Sequence, residues 1–204
     1  LAHLSPAREF RLLVATSTGL ALLAAVGCHD LATWALESAP VFLVAAASPF
    51  VSPPSRLLGR LLFVHGLVLI IGSHWTYAQV PAGNWVRDAL GLARNPYDRL
   101  GHLFQGFVPA LLVREALLRS AWITAARPAA LLSVSVALAF SAVYELLEWA
   151  AAAAIGQAAD AFLGTQGDPW DTQADMACAL LGAVIAVTFV ARAHDRSLRQ
   201  LSSP

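Results

Sequence analysis

Apolar residues run along this chain in long unbroken blocks separated by short polar stretches. The blocks are Phe10–Gly27, Leu31–Phe50, Leu57–Gly72, Leu103–Leu118, Ala129–Ala154 and Met176–Ala191. A helix rises about 1.5 Å per residue, so roughly 20 residues cross a hydrocarbon core of about 30 Å. Several blocks are slightly short, and flanking Gly, Trp or Tyr extend them. The pattern predicts an all-α polytopic transmembrane bundle of about six helices. Continuous rather than alternating blocks speak against a β-barrel. Asn84–Leu92 is amphipathic and reads as a short interfacial helix beside Trp75, Tyr77 and Trp85. Pro49, Pro53 and Pro54 break the chain between the second and third spans, and Gly167-Asp168-Pro169 turns it before the sixth. No repeat or linker divides the 204 residues, so one integral membrane domain is expected.

Composition agrees with this picture. The chain is 58% hydrophobic and 13% charged, with a mean hydropathy of +0.63. Soluble domains carry about 25% charge, and disordered chains need low hydrophobicity. The 13 basic residues are all Arg and balance 13 acids, which leaves no general basic surface for nucleic acid. Cys28 and Cys178 define neither a disulfide framework nor a thiolate metal site, and two free thiols are expected. With Leu1 in first place, the chain is expected to lack its native start. The first apolar block is too long for a cleaved signal peptide and has no Ala-x-Ala ending.

Arginines in short loops set orientation. With both termini cytoplasmic, ten Arg fall inside and three outside. The exception to strict alternation is the long segment between the third and fourth spans, which holds Arg87, Arg94 and Arg99. In this orientation His74, Asp98, His102, Glu145, Glu148, Asp168, Asp171 and Asp175 all lie near the extracytoplasmic boundary. The rest of the span is nearly free of charge, with Glu37 and His65 as the exceptions.

Spacing sharpens the cluster. Asp98 and His102 are four apart and share a helix face, which Gln105 continues. Asp171 and Asp175 are also four apart, and Glu145 and Glu148 three apart. Ionisable side chains inside a span cost about 2.5–3.5 kcal/mol each on insertion scales and tend to face the bundle interior or a wet cavity. So many acids need protons, arginine partners or a cation. Plain structural roles are open for each residue. Asp98, Asp171 or Asp175 can be helix N-caps, His102 can bond a neighbouring helix, and Glu145 can snorkel. His65 reads as structural, and Glu37 as either structural or part of a proton path. The aromatic residues Trp75, Tyr77, Trp149 and Trp170 fit an interfacial belt.

The strings Arg94-Asn95-Pro96-Tyr97-Asp98-Arg99-Leu100-Gly101-His102, Gln105-Gly106-Phe107-Val108-Pro109-Ala110, Tyr144-Glu145-Leu146-Leu147-Glu148-Trp149 and Phe162 through Met176 resemble the YjdF-type family of bacterial inner-membrane proteins. The likeness covers nearly the whole chain. It implies a multi-pass protein of the bacterial cytoplasmic membrane and brings no activity with it. A more distant likeness is to the VanZ-like family, which is associated with glycopeptide resistance. This sequence departs from that pattern in its longer acidic turn and its doubled Glu beside Trp149, so the likeness transfers a reaction weakly.

Two functional classes follow, with a third behind them. In the first, a divalent metal (Zn, Mn, Fe or Mg) is held among His74, Asp98, His102, Asp171 and Asp175. Glu145 and Glu148 are then the catalytic carboxylates. Arg94 and Arg99 hold a phosphate, and Tyr77, Gln105 and Asp168 are further substrate contacts. The substrate is a lipid head group or a lipid-linked envelope precursor reached from the bilayer. In the second class the same acids serve a cation- or proton-coupled carrier, with a homo-oligomer supplying the missing size. The third is an accessory subunit that packs Ala179, Gly182, Ala183 and Ala186 against a partner helix or within the chain.

Overall fold

The computed structural model describes residues 4–155 and 166–201, and within them the chain is helical without strands. Helix α1 spans Pro6–Ala24, with Pro at its first position and the Ser5 hydroxyl accepting from the Arg8 amide. Helix α2 spans Leu31–Ala47 and is capped by Asp30, whose carboxylate accepts from the Thr33 amide at 2.7 Å. Helix α3 spans Arg56–Trp75 and ends where Thr76 and Tyr77 take positive φ angles of 57° and 46°. A short helix α4, Pro81–Leu90, fills the place expected for the amphipathic segment. Then come α5 (Tyr97–Arg119), α6 (Ala126–Ile155) and α7 (Asp171–Ile185). One π turn, Ala186–Val190, joins α7 to α8 (Ala191–Arg199) in a single rod.

Among the described residues, three helices are long and apolar enough to cross a membrane: Arg56–Trp75, Ala126–Ala154 and Asp171–Arg199. Helix α2 is apolar but shorter, at 17 residues. Each of the six apolar blocks coincides with a helix, although the first two run three residues past the ends of α1 and α2, and two helices begin well before their blocks. Helix α5 starts at Tyr97 rather than Leu103, and α7 at Asp171 rather than Met176. Hydropathy marks the lipid-facing middle of a span, whereas the backbone hydrogen-bond ladder continues into polar residues buried against other helices. Cys28 and Cys178 are both free.

Helix α5 is the central strut, touching α3, α6, α7 and α8. Its tightest crossing is with α7. A methyl group at Gly106 would collide with the carbonyl of Ala179, and one at Gly182 with that of Leu103. Small residues let two backbones meet in this way where lipid supplies no hydrophobic drive. The small stripe of Ala179, Gly182, Ala183 and Ala186 is therefore used inside the chain, with Leu58, Val108, Leu111 and Ala137 completing the apolar core.

Buried charge also occurs where hydropathy had suggested none, at the end of the bundle that carries the termini. Glu9 is clamped by Arg56 and, at 2.6 Å, by Arg60. Glu115 accepts from the Ser55 amide at 2.8 Å, from Arg119 at 3.1 Å and from Nε2 of His194 at 2.9 Å. Arg114 reaches Nδ1 of His194 at 3.1 Å and Asp195 at 2.7 Å. Arg114 lies within α5 and is buried. This network ties α1, α3, α5 and α8 together.

The α5–α7 crossing yields a test in which one substitution acts with opposite signs at two sites. Gly106→Ala should lower the unfolding midpoint in detergent, since overpacking costs about 1–3 kcal/mol. Gly19→Ala, where nothing lies within 4 Å, should raise it through helix propensity by up to about 1 kcal/mol. Equal midpoints would contradict the crossing.

Candidate functional site

The polar groups at the far end of the bundle form two adjoining pieces. The first is a carboxylate–guanidinium cluster at the mouths of α5 and α7. Arg94 pairs with Asp98 at 3.2 Å, with Asp168 at 3.5 Å and closely with Asp171. Arg99 pairs with Asp168 at 3.1 Å, with Asp171 at 2.8 Å and closely with Asp175. Among the described residues, four carboxylates thus share two guanidinium groups, so with all four ionised and His102 neutral the group carries two surplus negative charges.

Local sequence explains this arrangement. Asp98 and Asp171 are not side-chain caps: the caps of α5 and α7 are Pro96 and Trp170, and neither makes a side-chain cap bond. Both acids sit instead in the first helical turn, where the N-terminal dipole favours negative charge, and turn inward. Asp168 is the residue with turn chemistry, accepting from the Trp170 amide at 2.9 Å. Asn95 braces the whole approach and is completely buried. Its side chain donates to the Val80 carbonyl and to Asn84, both at 3.0 Å, and accepts from the Tyr97 amide at 3.0 Å. Its backbone exchanges two hydrogen bonds with the Gln166 amide group, at 2.9 and 3.1 Å.

The second piece is a small pocket of about 50 Å³ lined by Glu37, His65, Tyr77, Asp98, His102, Gln105, Tyr144 and Glu148, among others. His102 joins the two pieces. Its Nδ1 lies 2.8 Å from Oε1 of Gln105, so Nδ1 carries a proton, and in the neutral imidazole Nε2 then keeps a lone pair. That Nε2 faces Oδ1 of Asp98 at 3.6 Å and Oδ1 of Asp175 at 3.7 Å. Three acceptors therefore point at one another, all within 4.8 Å. Asp175 and His102 are 2% and 6% exposed, so water gives them little screening. Glu145, also 6% exposed, has a buried Oε1 that makes no hydrogen bond among the described residues and lies 3.6 Å from Nδ1 of His102. Tyr144 donates to Glu37 at 3.0 Å, which links α6 to α2. Tyr77 enters the pocket through a slot at Gly72, where a side chain would collide with its ring.

Most of the residues expected to gather do so. Asp98, His102, Asp175, Asp171, Arg94, Arg99, Asp168, Gln105 and Glu145 meet around the cluster, and Tyr77 and Glu148 line the pocket. His74 does not join them. Its Nδ1 bonds the Ala24 carbonyl at 2.8 Å, and its backbone carbonyl accepts from the His29 amide at 3.0 Å, at the corner between α1 and α2. Arg94 and Arg99 are engaged by aspartates, so they act first as counterions to the cluster. His65, expected to be structural, has a buried Nε2 with no hydrogen-bond partner among the described residues and lines the pocket. Asn95, Gln166 and Tyr144 had no site role from spacing alone. Phe162 to Thr165, part of the longest family-like string, lie outside the described residues.

An all-helical bundle with membrane-length apolar helices and a buried cluster of ionisable groups defines an integral membrane protein. The chain belongs to the predicted membrane protein family DUF2238, which matches residues 10–196. It is 50% identical over 188 residues to the inner membrane protein YjdF of Escherichia coli (strain K12), covering 91% of this chain and 90% of that protein. No solved structure matches. The chain is accordingly a multi-pass protein of the bacterial inner membrane.

The shared guanidinium clamp can be tested by charge removal. Arg99→Gln leaves three partly buried carboxylates short of a partner, and breaking such a pair costs about 3–5 kcal/mol. Thermal unfolding in detergent should show this loss. The double variant Arg99→Gln/Asp175→Asn should recover part of it, and additive effects would argue against direct coupling.

Proposed function

We propose that this protein is a metal-dependent membrane enzyme, a hydrolase or transferase. Its substrate is a lipid head group or a lipid-linked envelope precursor at the extracytoplasmic face. The reading includes six membrane crossings with both termini cytoplasmic, the orientation that the arginine distribution favours. The observation that carries it is the meeting of His102 Nε2 with one oxygen each of Asp98 and Asp175 within 4.8 Å. Three lone pairs in a water-poor site repel one another unless a proton or a cation lies between them. With all four aspartates ionised, the two surplus negative charges match a divalent cation. Gln105 is the kind of outer partner that fixes the tautomer of a ligating imidazole. One imidazole with two carboxylates suits Zn, Mn or Fe(II) better than Mg.

Such an ion would supply Lewis acidity to a phosphoryl or carbonyl oxygen. The chain's own groups do the rest. Glu145, with a free buried oxygen beside His102, accepts the proton of an attacking water or hydroxyl. Asp171 and Asp168 hold Arg94 and Arg99 close to the ligands, so the guanidinium groups offset the cluster rather than anchor a phosphate. Tyr77, Tyr144 and Glu148 shape the pocket where the reacting group sits. Glu148 is the second carboxylate available for proton transfer.

A carrier is the second reading. It is favoured by the buried Glu115–His194–Arg114 group at the opposite end of the bundle, with His65 and Glu37 between. The apolar packing of Leu58, Val108, Leu111 and Ala137 stands against a continuous polar path.

Metal analysis of detergent-purified protein should find about one equivalent of a divalent ion. His102→Ala and Asp175→Asn should lose it, and Glu145→Gln should keep it. Gln105→Leu should weaken binding about 10–100-fold, as losses of outer partners do. Metal-free wild-type protein would overturn the enzyme reading. Cation or proton flux in proteoliposomes that disappears in His65→Ala would replace it with the carrier.

A further inference from the structure

A second, larger cavity of about 280 Å³ adjoins the polar pocket and is walled by residues of α1, α2, α3, α5 and α6. The two share Pro40, His65, Leu69 and Phe140, so one opens beside the other. The walls of the larger cavity are apolar except for Ser17 and His65. A water occupies about 30 Å³, and smaller engineered apolar cavities of about 150 Å³ stay dry and take apolar guests. A space of this size and lining therefore selects hydrocarbon over water.

Its length is also informative. On α3 the lining runs from Gly59 to Leu69, which at about 1.5 Å per residue is about 15 Å of helix. That is half of a hydrocarbon core of about 30 Å, or the depth of one leaflet. Polar groups stand at one end only, where Glu37, Tyr144 and His102 line the smaller pocket. Polar end, apolar remainder and leaflet-deep reach are the profile of a single lipid. The wall includes Leu43, Leu112 and Phe140, which are 68%, 45% and 49% exposed and face outward. A chain can thus enter sideways between α2 and α6, under the Tyr144–Glu37 hydrogen bond.

We infer that this cavity holds one hydrocarbon chain of a bilayer phospholipid, with the lipid's polar end in the neighbouring pocket. His65, whose buried Nε2 has no hydrogen-bond partner among the described residues, meets the first polar atoms of the lipid at the junction. Gly66 lines the cavity, and a Cβ there would lie 3.5 Å from the Ser17 hydroxyl and 4.0 Å from Val41, so a longer side chain takes up the space between them. The inference rests on the lipid-substrate reading for the purpose of the bound lipid, but not for its presence.

The experiment uses full-length protein in vesicles of phosphatidylethanolamine and phosphatidylglycerol, with a trace of phosphatidylglycerol carrying a diazirine on its acyl chain. After irradiation, peptide mapping should find label on Val41, Leu62 and Leu69 as well as on the exposed, lipid-facing Leu146, Leu181 and Phe189. Val41 is 6% exposed, so lipid that merely surrounds the protein does not reach it. Gly66→Leu, which fills the cavity from α3, should cut label on the lining residues at least fivefold. It should leave the outer residues unchanged, which also reports correct insertion. Leu112→Trp fills the space from α5 and should do the same. Lining label no stronger than background, or undiminished in both variants, overturns the inference. Metal loss through Asp175→Asn should leave the lining label intact, so failure of the metal reading and failure of this one give different results.

Discussion

Carboxylates are costly to hold away from water, and Arg94 and Arg99 answer that cost at the mouth of this bundle. Four aspartates from α5, α7 and the turn before α7 converge on two guanidinium groups. The pairing joins elements far apart in sequence, and Asn95 extends it to α4 through Val80 and Asn84. The pairing is incomplete in charge. That shortfall lies beside the His102 imidazole and the oxygens of Asp98 and Asp175, the group on which the proposed metal site rests.

Backbone packing sets the distances on which this chemistry depends. Gly106 against Ala179 and Gly182 against Leu103 bring α5 and α7 to near contact. The pairs Asp98–His102 and Asp171–Asp175 stand one to two turns further along these same helices. Bulkier residues at the crossing would widen the gap and take Arg99 out of reach of Asp175. The small-residue stripe and the ionic cluster are thus one device, the first fixing spacing and the second using it.

Much of this was legible in the sequence, and the gaps have physical causes. Block lengths located every helix that carries the site, and four-residue spacing put Asp98 with His102 and Asp171 with Asp175. Depth along a span can be read from position, but direction around the helix axis cannot. His74 has the right depth and bonds Ala24 instead. That arginines offset the acids was legible, but the particular pairings were not, because Asp168 and Asp171 lie some 70 positions from Arg94 and only the folded turn unites them. Arg114 and Glu115 lie in the last turns of the block Leu103–Leu118 and His194 in the charged tail, positions that in sequence look like solvated surface. Only the packing of α8 against α3 and α5 shows that they are inside. Asn95 carried no role in sequence because its amide bonds reach segments that no local pattern links.

The π turn at Ala186–Val190 places one more residue in the rod than an α-helical path would need. Each residue of an α-helix turns the chain by about 100°. Everything after that turn therefore faces a direction fixed by a single surplus position. His194 and Ser197 point inward, to Glu115 and the Leu57 amide, on the strength of that extra step. Removing one residue there would preserve composition, length class and hydropathy almost unchanged. It would also swing the terminal helix by more than a quarter rotation and unfasten the opposite end of the molecule from the inside.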